Sequence, residues 1–387
     1  MKRYPRATII LVGLAAATIT AIGISGIRGI LAPTLLTLIL TICAAPVRAK
    51  LIDRGVPRGL ATGSVIIVVF GVLAAFGYAI VVAVGQFAAM LPTYSEEFAA
   101  IGAAISGWLE SLGFGEAQVE SIVHSLDPQN VIASLTTAIG GLANFTAALV
   151  IVLTMMILMA ADAVYSRVIL GQLRETSPDL VSALGQYASN VRRYMVVTTV
   201  LGIAQGTLDA IALALLNVPA ALLWGLLAFL CSFIPNVGYF LALIPPLVFG
   251  FLEGGWGTAL AVLVVYAVIN AVVQSIIQPR VVGQAVSLSQ TVTFFSVLFW
   301  AVIIGPIGAI LAIPLTLLAK AVLIDADPGA HRWQPALGPT AATRELMEAE
   351  IQQDRSDRRA RHVAPAAPAS ADGPAPPLPP TDSEAGR

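Results

Sequence analysis

Long apolar runs separated by short polar segments make up most of the chain before residue 325. A helix crosses a hydrocarbon core about 30 Å thick with about 20 mostly apolar residues. Runs of roughly this length or longer cover residues 7–24, 30–45, 60–90, 145–164, 194–216 and 258–277. The pattern therefore predicts an all-α polytopic membrane protein with about six full transmembrane helices.

Two further apolar runs are interrupted by proline and glycine. The first covers residues 220–251 and the second covers residues 291–324. A glycine-rich segment at residues 254–257 predicts a turn after the first run. Each arm beside a break would rise only about 20 Å as a helix, which is too short to cross the bilayer. The breaks contain Pro235, Asn236 and Gly238 in the first run, and Pro306 and Gly308 in the second.

Paired broken segments of this kind are the best sequence indicator of a transporter's binding site, because unwound backbone is tolerated at membrane depth only where it lines a cavity. If each broken run is a re-entrant hairpin, residues 194–251 and 258–324 form an inverted repeat whose two breaks meet near mid-membrane. The alternative is that each run crosses once as a kinked helix. Arg280, which follows the sixth span, favours the hairpins.

Charged residues orient the chain in the membrane. A basic cluster at residues 47–58 is placed in the cytoplasm by the positive-inside rule, together with the N-terminus. Residues 92–140 are acidic and contain neither lysine nor arginine, so we expect them outside as short amphipathic helices. Residues 325–387 carry arginines and a region rich in proline, alanine and serine. The sequence thus predicts a transmembrane scaffold, an inverted-repeat transport core and a largely disordered cytoplasmic tail, at residues 1–193, 194–324 and 325–387.

Several motifs in the second half of the chain resemble the signature of the AI-2E (autoinducer-2 exporter) family of bacterial membrane transporters. They are F-I-P-N-V-G at 233–238, I-P-P at 244–246, Q-P-R-V-V-G at 278–283, L-F-W at 298–300 and G-P-I-G-A-I-L-A-I-P-L at 305–315. The resemblance is dense from about residue 194 to 323 and weaker before it. It implies a multi-pass protein of the bacterial plasma membrane that transports a small polar metabolite similar to autoinducer-2. The family also implies an alternative, which is exchange of a monovalent cation for protons.

Polar side chains within the spans are the candidates for solute or ion binding. Asp209 lies centrally in the fifth span, where ionising a carboxyl group costs a few kcal/mol, and such a residue is a functional candidate by default. Gly202 and Gly206 share its helix face and allow close helix packing. A polar stripe on the sixth span recurs at every fourth residue. The alternative role for these side chains is hydrogen bonding at a packed or subunit interface. The predicted binding set is Gln205, Asp209, Pro235, Asn236, Gly238, Asn270, Gln274, Gln278, Pro306 and Gly308, and Tyr266 begins the stripe.

Composition excludes a soluble domain and gives no support to an enzyme. The chain is 57% hydrophobic and only 11% charged, against about 25% charged in soluble domains. All three histidines, His124, His331 and His362, lie outside the spans, which removes an intramembrane serine–histidine dyad or a zinc-protease motif. Cys43 and Cys231 lie in apolar runs and are expected to be inert. No phosphate-binding loop, cofactor or metal site is predicted.

Three functions remain open at this level. The first is a secondary transporter that exports or passes a small polar metabolite, with proton coupling through Asp209. The second is a monovalent cation/proton antiporter. The third is a non-transporting membrane scaffold protein. The expected partners are the lipid bilayer, a small polar solute or a cation, and further copies of the chain in a homo-oligomer, with no nucleic acid.

Overall fold

The computed structural model describes residues 5–112, 142–163, 165–277 and 288–338, and short stretches at 343, 345–347 and 349–353. All regular secondary structure in these residues is helical. The chain divides into two compact units, Met1–Gly338 and Pro339–Arg387. The second unit contains short helical pieces at residues 345–347 and 349–353. His124, Arg280 and His362 lie outside the described residues.

The helices before the first break are α1 Arg6–Gly26, α2 Arg28–Asp53, α3 Arg58–Met90, α4 Ser95–Ser111, α5 Leu142–Asp162, α6 Ser166–Thr176 and α7 Pro178–Leu215. Those that follow are α8 Ala221–Cys231, α9 Gly238–Asn270, α10 Gln290–Ile304, α11 Pro306–Ile310, α12 Ala312–Lys320 and α13 Gln334–Leu337. Short 3₁₀ helices, Leu91–Tyr94 and Pro328–Trp333, precede α4 and α13. π-Helical turns, Ala271–Ile277 and Ala321–Asp325, extend α9 and α12.

Helix length and hydrophobicity fit a membrane protein. Among the described residues, four stretches are long and apolar enough to cross a bilayer, at Arg28–Asp53, Arg58–Glu97, Pro178–Leu215 and Gly238–Val273. Shorter apolar helices occur at Leu11–Gly26, Thr146–Asp162, Ala221–Cys231 and Gln290–Ile304. The predicted class, an all-α polytopic membrane protein, is confirmed.

The first broken run folds back on itself. Trp224 of α8 stacks on Phe249 of α9, with the ring centroids 5.7 Å apart. In a helix that continued in one direction these residues would lie more than about 30 Å apart. The interpretation as a single kinked crossing is therefore wrong, and we call residues 221–253 hairpin 1. Its tip requires glycine, because a Cβ atom on Gly238 would lie 1.9 Å from the carbonyl oxygen of Cys231.

The predicted turn after hairpin 1 is also present. α9 is interrupted at Gly254 and Gly255, and Gly255 has a φ of 63°. We call its two parts α9a, residues 238–253, and α9b, residues 256–270. A Cβ atom on Gly250 would lie 3.0 Å from Cγ2 of Val262, so α9b runs back along α9a. α9b is the described part of the predicted sixth span.

The second broken run forms hairpin 2, residues 290–320. Its break lies at Gly305, whose φ is 86°, and Pro306 is the first residue of α11. The indole nitrogen of Trp300 donates a hydrogen bond of 3.0 Å to Oγ1 of Thr316. The two residues would be about 24 Å apart in a straight helix. α12 therefore packs back against α10.

The tips of the two hairpins meet. Ile234 and Val237, at the tip of hairpin 1, pack against a cluster that includes Ala309 and Ala312 of hairpin 2. Phe233 belongs to a second cluster that includes residues 303 and 304 at the end of α10. The predicted contact between the two breaks is confirmed, while its depth in the bilayer stays a prediction.

Ordered structure extends beyond both ends of the predicted transport core. α7 begins at Pro178, so the boundary drawn at residues 193/194 lies inside a helix. After hairpin 2 the chain remains folded to Gly338. Lys320 forms a 2.7 Å salt bridge with Asp325, and the backbone amide of Ser289 donates to the carbonyl oxygen of Leu337 at 2.8 Å. This clasp, residues 325–338, joins the two ends of hairpin 2.

The segment predicted to lie outside the membrane begins with α4. This helix has Glu96 and Glu97 in its first turn and buries Leu109, while Trp108 is exposed. The amphipathic helix predicted there is confirmed for α4. Residues 113–141 lie outside the described residues.

Close contact between glycines sets the distance between α7 and hairpin 1. A Cβ atom on Gly206 would lie 2.4 Å from the carbonyl oxygen of Gly225 in α8, and a Cβ atom on Gly225 would lie 2.4 Å from that of Gly206. Both contacts are with backbone, which cannot rotate away. The close packing predicted for the Gly202 and Gly206 face is confirmed.

We expect Gly206→Ala to destabilise the protein by about 1–3 kcal/mol, because an added methyl group overpacks a backbone contact. Gly185→Ala is the matched control in the same helix, where a Cβ atom would meet nothing within 4 Å. It should be neutral or stabilising, since alanine is the better helix former. Thermal unfolding of the detergent-solubilised protein, followed by tryptophan fluorescence, measures both. Equal melting temperatures for the two variants would contradict the close contact.

Candidate functional site

A buried carboxyl group on α7 is the centre of the candidate site. The side chain of Asp209 is 0% exposed. Neither of its carboxylate oxygens has a hydrogen-bond partner. Asp209 follows Gly202 and Gly206 on the helix face that packs against hairpin 1. The contact that brings hairpin 1 close to α7 therefore also encloses the carboxyl group.

Two tyrosines from α9 lie near enough to this carboxyl group to interact with its charge. Tyr239, near the tip of hairpin 1, and Tyr266 of α9b both interact electrostatically with Asp209. Cys231, the last residue of α8, interacts in the same way with Tyr266. The site is therefore built from α7, from both arms of hairpin 1 and from the following span.

Unpartnered oxygen atoms distinguish this site from ordinary helix packing. The hydroxyl group of Tyr266 is buried without a hydrogen-bond partner, and so is Oδ1 of Asn270 one turn later. Buried polar groups in proteins are almost always hydrogen-bonded, to protein atoms or to ordered water. The carboxyl group of Asp209 can take up a proton. The other unpaired oxygens can bind water or a small polar or cationic solute.

The other predicted site residues divide between this site and the hairpin tips. Gln205 is 4% exposed and lies one turn before Asp209. Pro235 is half-buried and Asn236 is exposed, with a φ of 64° that asparagine tolerates better than most residues. The contact between the tips places α11, which carries Pro306 and Gly308, against hairpin 1.

The polar stripe on the sixth span is only partly described. Tyr266 and Asn270 both bury an oxygen atom, as the stripe predicts. Gln274 lies in the π-helical turn that follows α9, but its side chain is not among those described. Gln278 lies outside the described residues.

Sequence reasoning missed Tyr239 and Ser232 as site residues. Tyr239 reaches Asp209 because hairpin 1 folds back, which no local pattern in the sequence encodes. Ser232 lies at the tip of hairpin 1, where a Cβ atom on Gly202 would be 2.3 Å from its Oγ. A serine three residues before the proline of the break was the available signal.

An apolar groove of about 460 Å³ lies between α3 and hairpin 1. Its lining is hydrocarbon and aromatic, and includes Val84, Phe87, Leu227 and Ile244. A polar solute would lose its hydrogen bonds to water there without replacement. Among the described residues, no three histidine, cysteine, aspartate or glutamate side chains could hold a metal ion together. The site around Asp209 is therefore the better candidate for polar chemistry.

Comparison with known proteins identifies the family of this chain. The model of the AI-2E family transporter matches residues 8–326, from α1 to the beginning of the clasp. The AI-2 transport protein TqsA of Escherichia coli (strain K12) is 30% identical over 302 residues, which are 78% of this chain and 87% of TqsA. "Putative transport protein YhhT" of the same strain is 26% identical over 330 residues, which are 85% of this chain and 94% of YhhT. The match extends well before residue 194, where the resemblance becomes dense, and the chain belongs to the AI-2E family of transporters.

Proposed function

We propose that the chain is a secondary transporter that exports, or allows the passage of, a small polar metabolite, and that a proton on Asp209 is coupled to this movement. The observation that carries the proposal is the fully buried carboxyl group with two unpartnered oxygens, enclosed by a broken hairpin. The name of the relative TqsA, an AI-2 transport protein, supports a solute of that kind.

The packing around Asp209 suggests how a proton and a solute are coupled. A neutral carboxyl group is compatible with the apolar surroundings, whereas an ionised one requires water, a cation or a polar solute beside it. Hairpin 1 contacts α7 through Gly206 and Gly225 and carries Tyr239 to the carboxyl group. A change in the charge of Asp209 therefore changes the energy with which hairpin 1 packs against α7. Because a ligand shifts a conformational equilibrium when it binds one state more tightly, a proton bound to Asp209 shifts the position of the hairpin.

A monovalent cation/proton antiporter is the second candidate function. The unpartnered oxygens of Asp209 and Tyr266, and that of Asn270 one turn further along α9b, are hard donors of the kind that suits hard cations. If the chain exchanges sodium or lithium ions for protons, an inward cation gradient raises the internal pH of proteoliposomes, and an outward gradient lowers it. A pH-sensitive dye inside the vesicles distinguishes this function from metabolite transport.

We further propose that hairpin 1 enters the membrane from the outside and that the two halves are an inverted repeat. The hydroxyl group of Tyr94 donates a hydrogen bond to Oε1 of Glu253. Tyr94 follows the end of α3 that lies away from the cytoplasmic basic cluster, so the base of hairpin 1 is on the outer side. Both termini are then cytoplasmic, and the chain is a multi-pass protein of the bacterial plasma membrane.

Cysteine labelling tests this topology. In a background without Cys43 and Cys231, Trp256→Cys should react with a membrane-impermeant maleimide added outside intact cells, because Trp256 is 80% exposed beside the turn. Lys50→Cys, in the basic cluster, is the control that should react only after the membrane is opened. Labelling of Trp256→Cys only after opening would overturn the arrangement.

Self-association is part of the same proposal, with α1 to α5 as scaffold and contact surface. The most apolar window of α3 is only 6% buried within the chain, so this helix has little of its own protein around it. We expect an oligomer in mild detergent and in native lipid nanodiscs, measured by light scattering. A monodisperse monomer in both would contradict this expectation.

The central prediction is that Asp209→Asn removes the pH dependence of transport while leaving folding intact. Asparagine has nearly the same shape and cannot titrate. The titratable groups that interact with Asp209 are Tyr239 and Tyr266, and Cys231 interacts in turn with Tyr266, so Asp209 is the carboxyl group among them. Proteoliposome uptake of autoinducer-2, measured across a series of external pH values, should vary with pH in the parent protein and become flat in the variant.

Asp162→Asn is the control for this experiment, because Asp162 is an exposed residue at the end of α5. It should keep the pH dependence of the parent protein. Both variants should elute and unfold like the parent. If Asp209→Asn transports with an unchanged pH dependence, Asp209 is structural and the proton coupling proposed here is wrong.

A further inference from the structure

One face of α7 carries polar side chains at a regular spacing. Beginning near the cytoplasmic end, they lie alternately seven and four residues apart, which is the spacing that keeps side chains on one face of a helix. Consecutive members are separated by about 6 or 10 Å along the helix axis. The series is Tyr187, Tyr194, Thr198, Gln205 and Asp209.

All members of this series are buried. Their exposed fractions are 5%, 4%, 3%, 4% and 0% in chain order. The hydroxyl group of Tyr187 has no hydrogen-bond partner, as is also true of Asp209. Oγ1 of Thr198 makes no hydrogen bond of good geometry, although it lies near enough to the hydroxyl group of Tyr194 to interact with it. The hydroxyl group of Tyr194 donates to the carbonyl oxygen of Phe233 at 3.5 Å, which is long for a hydrogen bond.

Unpaired polar groups in such a position are expensive. Each buried hydroxyl group without a partner costs about 1–3 kcal/mol, and buried waters that make about three hydrogen bonds are the usual remedy. The cost recurs along one face of a single helix, whereas the lipid-facing residues of α7, such as Val200 and Ile203, are apolar. Water molecules placed beside these hydroxyl groups would satisfy all of them at once.

Hairpin 1 supplies a polar group at the second of the two seven-residue gaps in the series. Between Thr198 and Gln205 the α7 face is occupied by Gly202, and a Cβ atom there would lie 2.3 Å from Oγ of Ser232. The Ser232 hydroxyl donates to the carbonyl oxygen of Phe229 at 2.6 Å, so its lone pairs remain free to accept a proton-donating water. The serine closes the gap that glycine leaves.

The cytoplasmic end of the series has its own titratable neighbours. Tyr187 interacts electrostatically with Cys43 of α2, and Cys43 interacts with Arg192 of α7. Arg192 and Arg193 place this end at the cytoplasmic surface by the positive-inside rule. At the other end, Asp209 is faced by Tyr239 and the groups already described.

From this geometry we infer that α7 and the tip of hairpin 1 hold a chain of water molecules that carries protons between the cytoplasm and Asp209. Hydroxyl and amide groups of the series hold the waters in a file, and each water passes a proton to the next by exchanging a covalent O–H bond for a hydrogen bond. No group in the file changes its charge after the proton has passed. The inference rests on the proposed proton coupling and adds its route and its side.

Removal of one hydroxyl group tests the route. Thr198→Val keeps the shape of the side chain, and Tyr187→Phe removes a hydroxyl group at the cytoplasmic end. The readout is the carboxyl C=O stretch of Asp209 in the infrared, identified by its disappearance in Asp209→Asn. Transfer into D2O shifts this band as the carboxyl proton exchanges. A rise of about 1.4 kcal/mol in the barrier slows exchange about tenfold, and we expect at least that for both variants.

Thr199→Val is the matched control. Thr199 is the next residue on α7, and its hydroxyl group donates to the carbonyl oxygen of Met195 at 2.7 Å, so it is already satisfied. Its exchange rate should equal that of the parent. Melting temperatures of all variants identify any whose carboxyl proton exchanges because the protein unfolds. If Thr198→Val unfolds, Tyr187→Phe provides the test of the route.

The outcomes separate this inference from the proposed function. Parent-like exchange in Thr198→Val and Tyr187→Phe would overturn the water chain, even if Asp209→Asn abolishes the pH dependence of transport. Slow exchange in both variants, with transport still pH-dependent in Asp209→Asn, would support the water chain and refute the coupling. Absence of the carboxyl band at every pH would overturn the water chain as well.

Discussion

The rest of the structure depends on the contact between two glycines. Gly206 of α7 and Gly225 of α8 bring two helix backbones together without side chains between them. In a bilayer the hydrophobic effect gives little reason for apolar helices to associate, so close packing of small residues supplies much of the attraction. This contact holds hairpin 1 against α7. The hairpin in turn encloses Asp209 and leaves no room for bulk water beside the carboxyl group.

Hairpin 1 is held differently at its two ends. At its base, an aromatic cluster joins it to the scaffold, because Phe87 of α3 packs edge-on against both Trp224 and Phe249, with centroids 5.0 and 5.1 Å away. At its tip, the contacts are with small and aliphatic side chains of hairpin 2. Positive φ angles of non-glycine residues, among the described part of the chain, occur at Asn217, Ala220 and Asn236. For Ala220 this conformation costs roughly 1–2 kcal/mol, so the entry and the tip of hairpin 1 are the strained parts of the backbone.

Sequence reasoning predicted those features that short-range chemistry determines. Proline and glycine marked both breaks and the turn at Gly254, because these residues change the backbone locally whatever surrounds them. Asp209 was recognisable because an acid in an apolar run is rare. The residues that hairpin 1 brings to this part of α7 were not recognisable, because Tyr239 and Ser232 come near α7 only after the chain has folded back. Similarly, hydropathy began the fifth span at residue 194, whereas the helix itself begins at Pro178, because polar residues are no obstacle to a helix.

The clasp after hairpin 2 was missed for a related reason, because its order comes from side chains that meet across a turn. Asp325 accepts hydrogen bonds from Lys320 and, at 3.1 Å, from Gln334. Together with the bond between Ser289 and Leu337, these contacts turn hairpin 2 into a closed loop that is fastened at its own base. Hairpin 1 is closed at its base by the stacking of Trp224 on Phe249, and the same two rings fasten it to Phe87 of α3. The two hairpins are therefore closed at their bases by different kinds of contact: a salt bridge and hydrogen bonds close hairpin 2, whereas ring contacts close hairpin 1 and join it to α3.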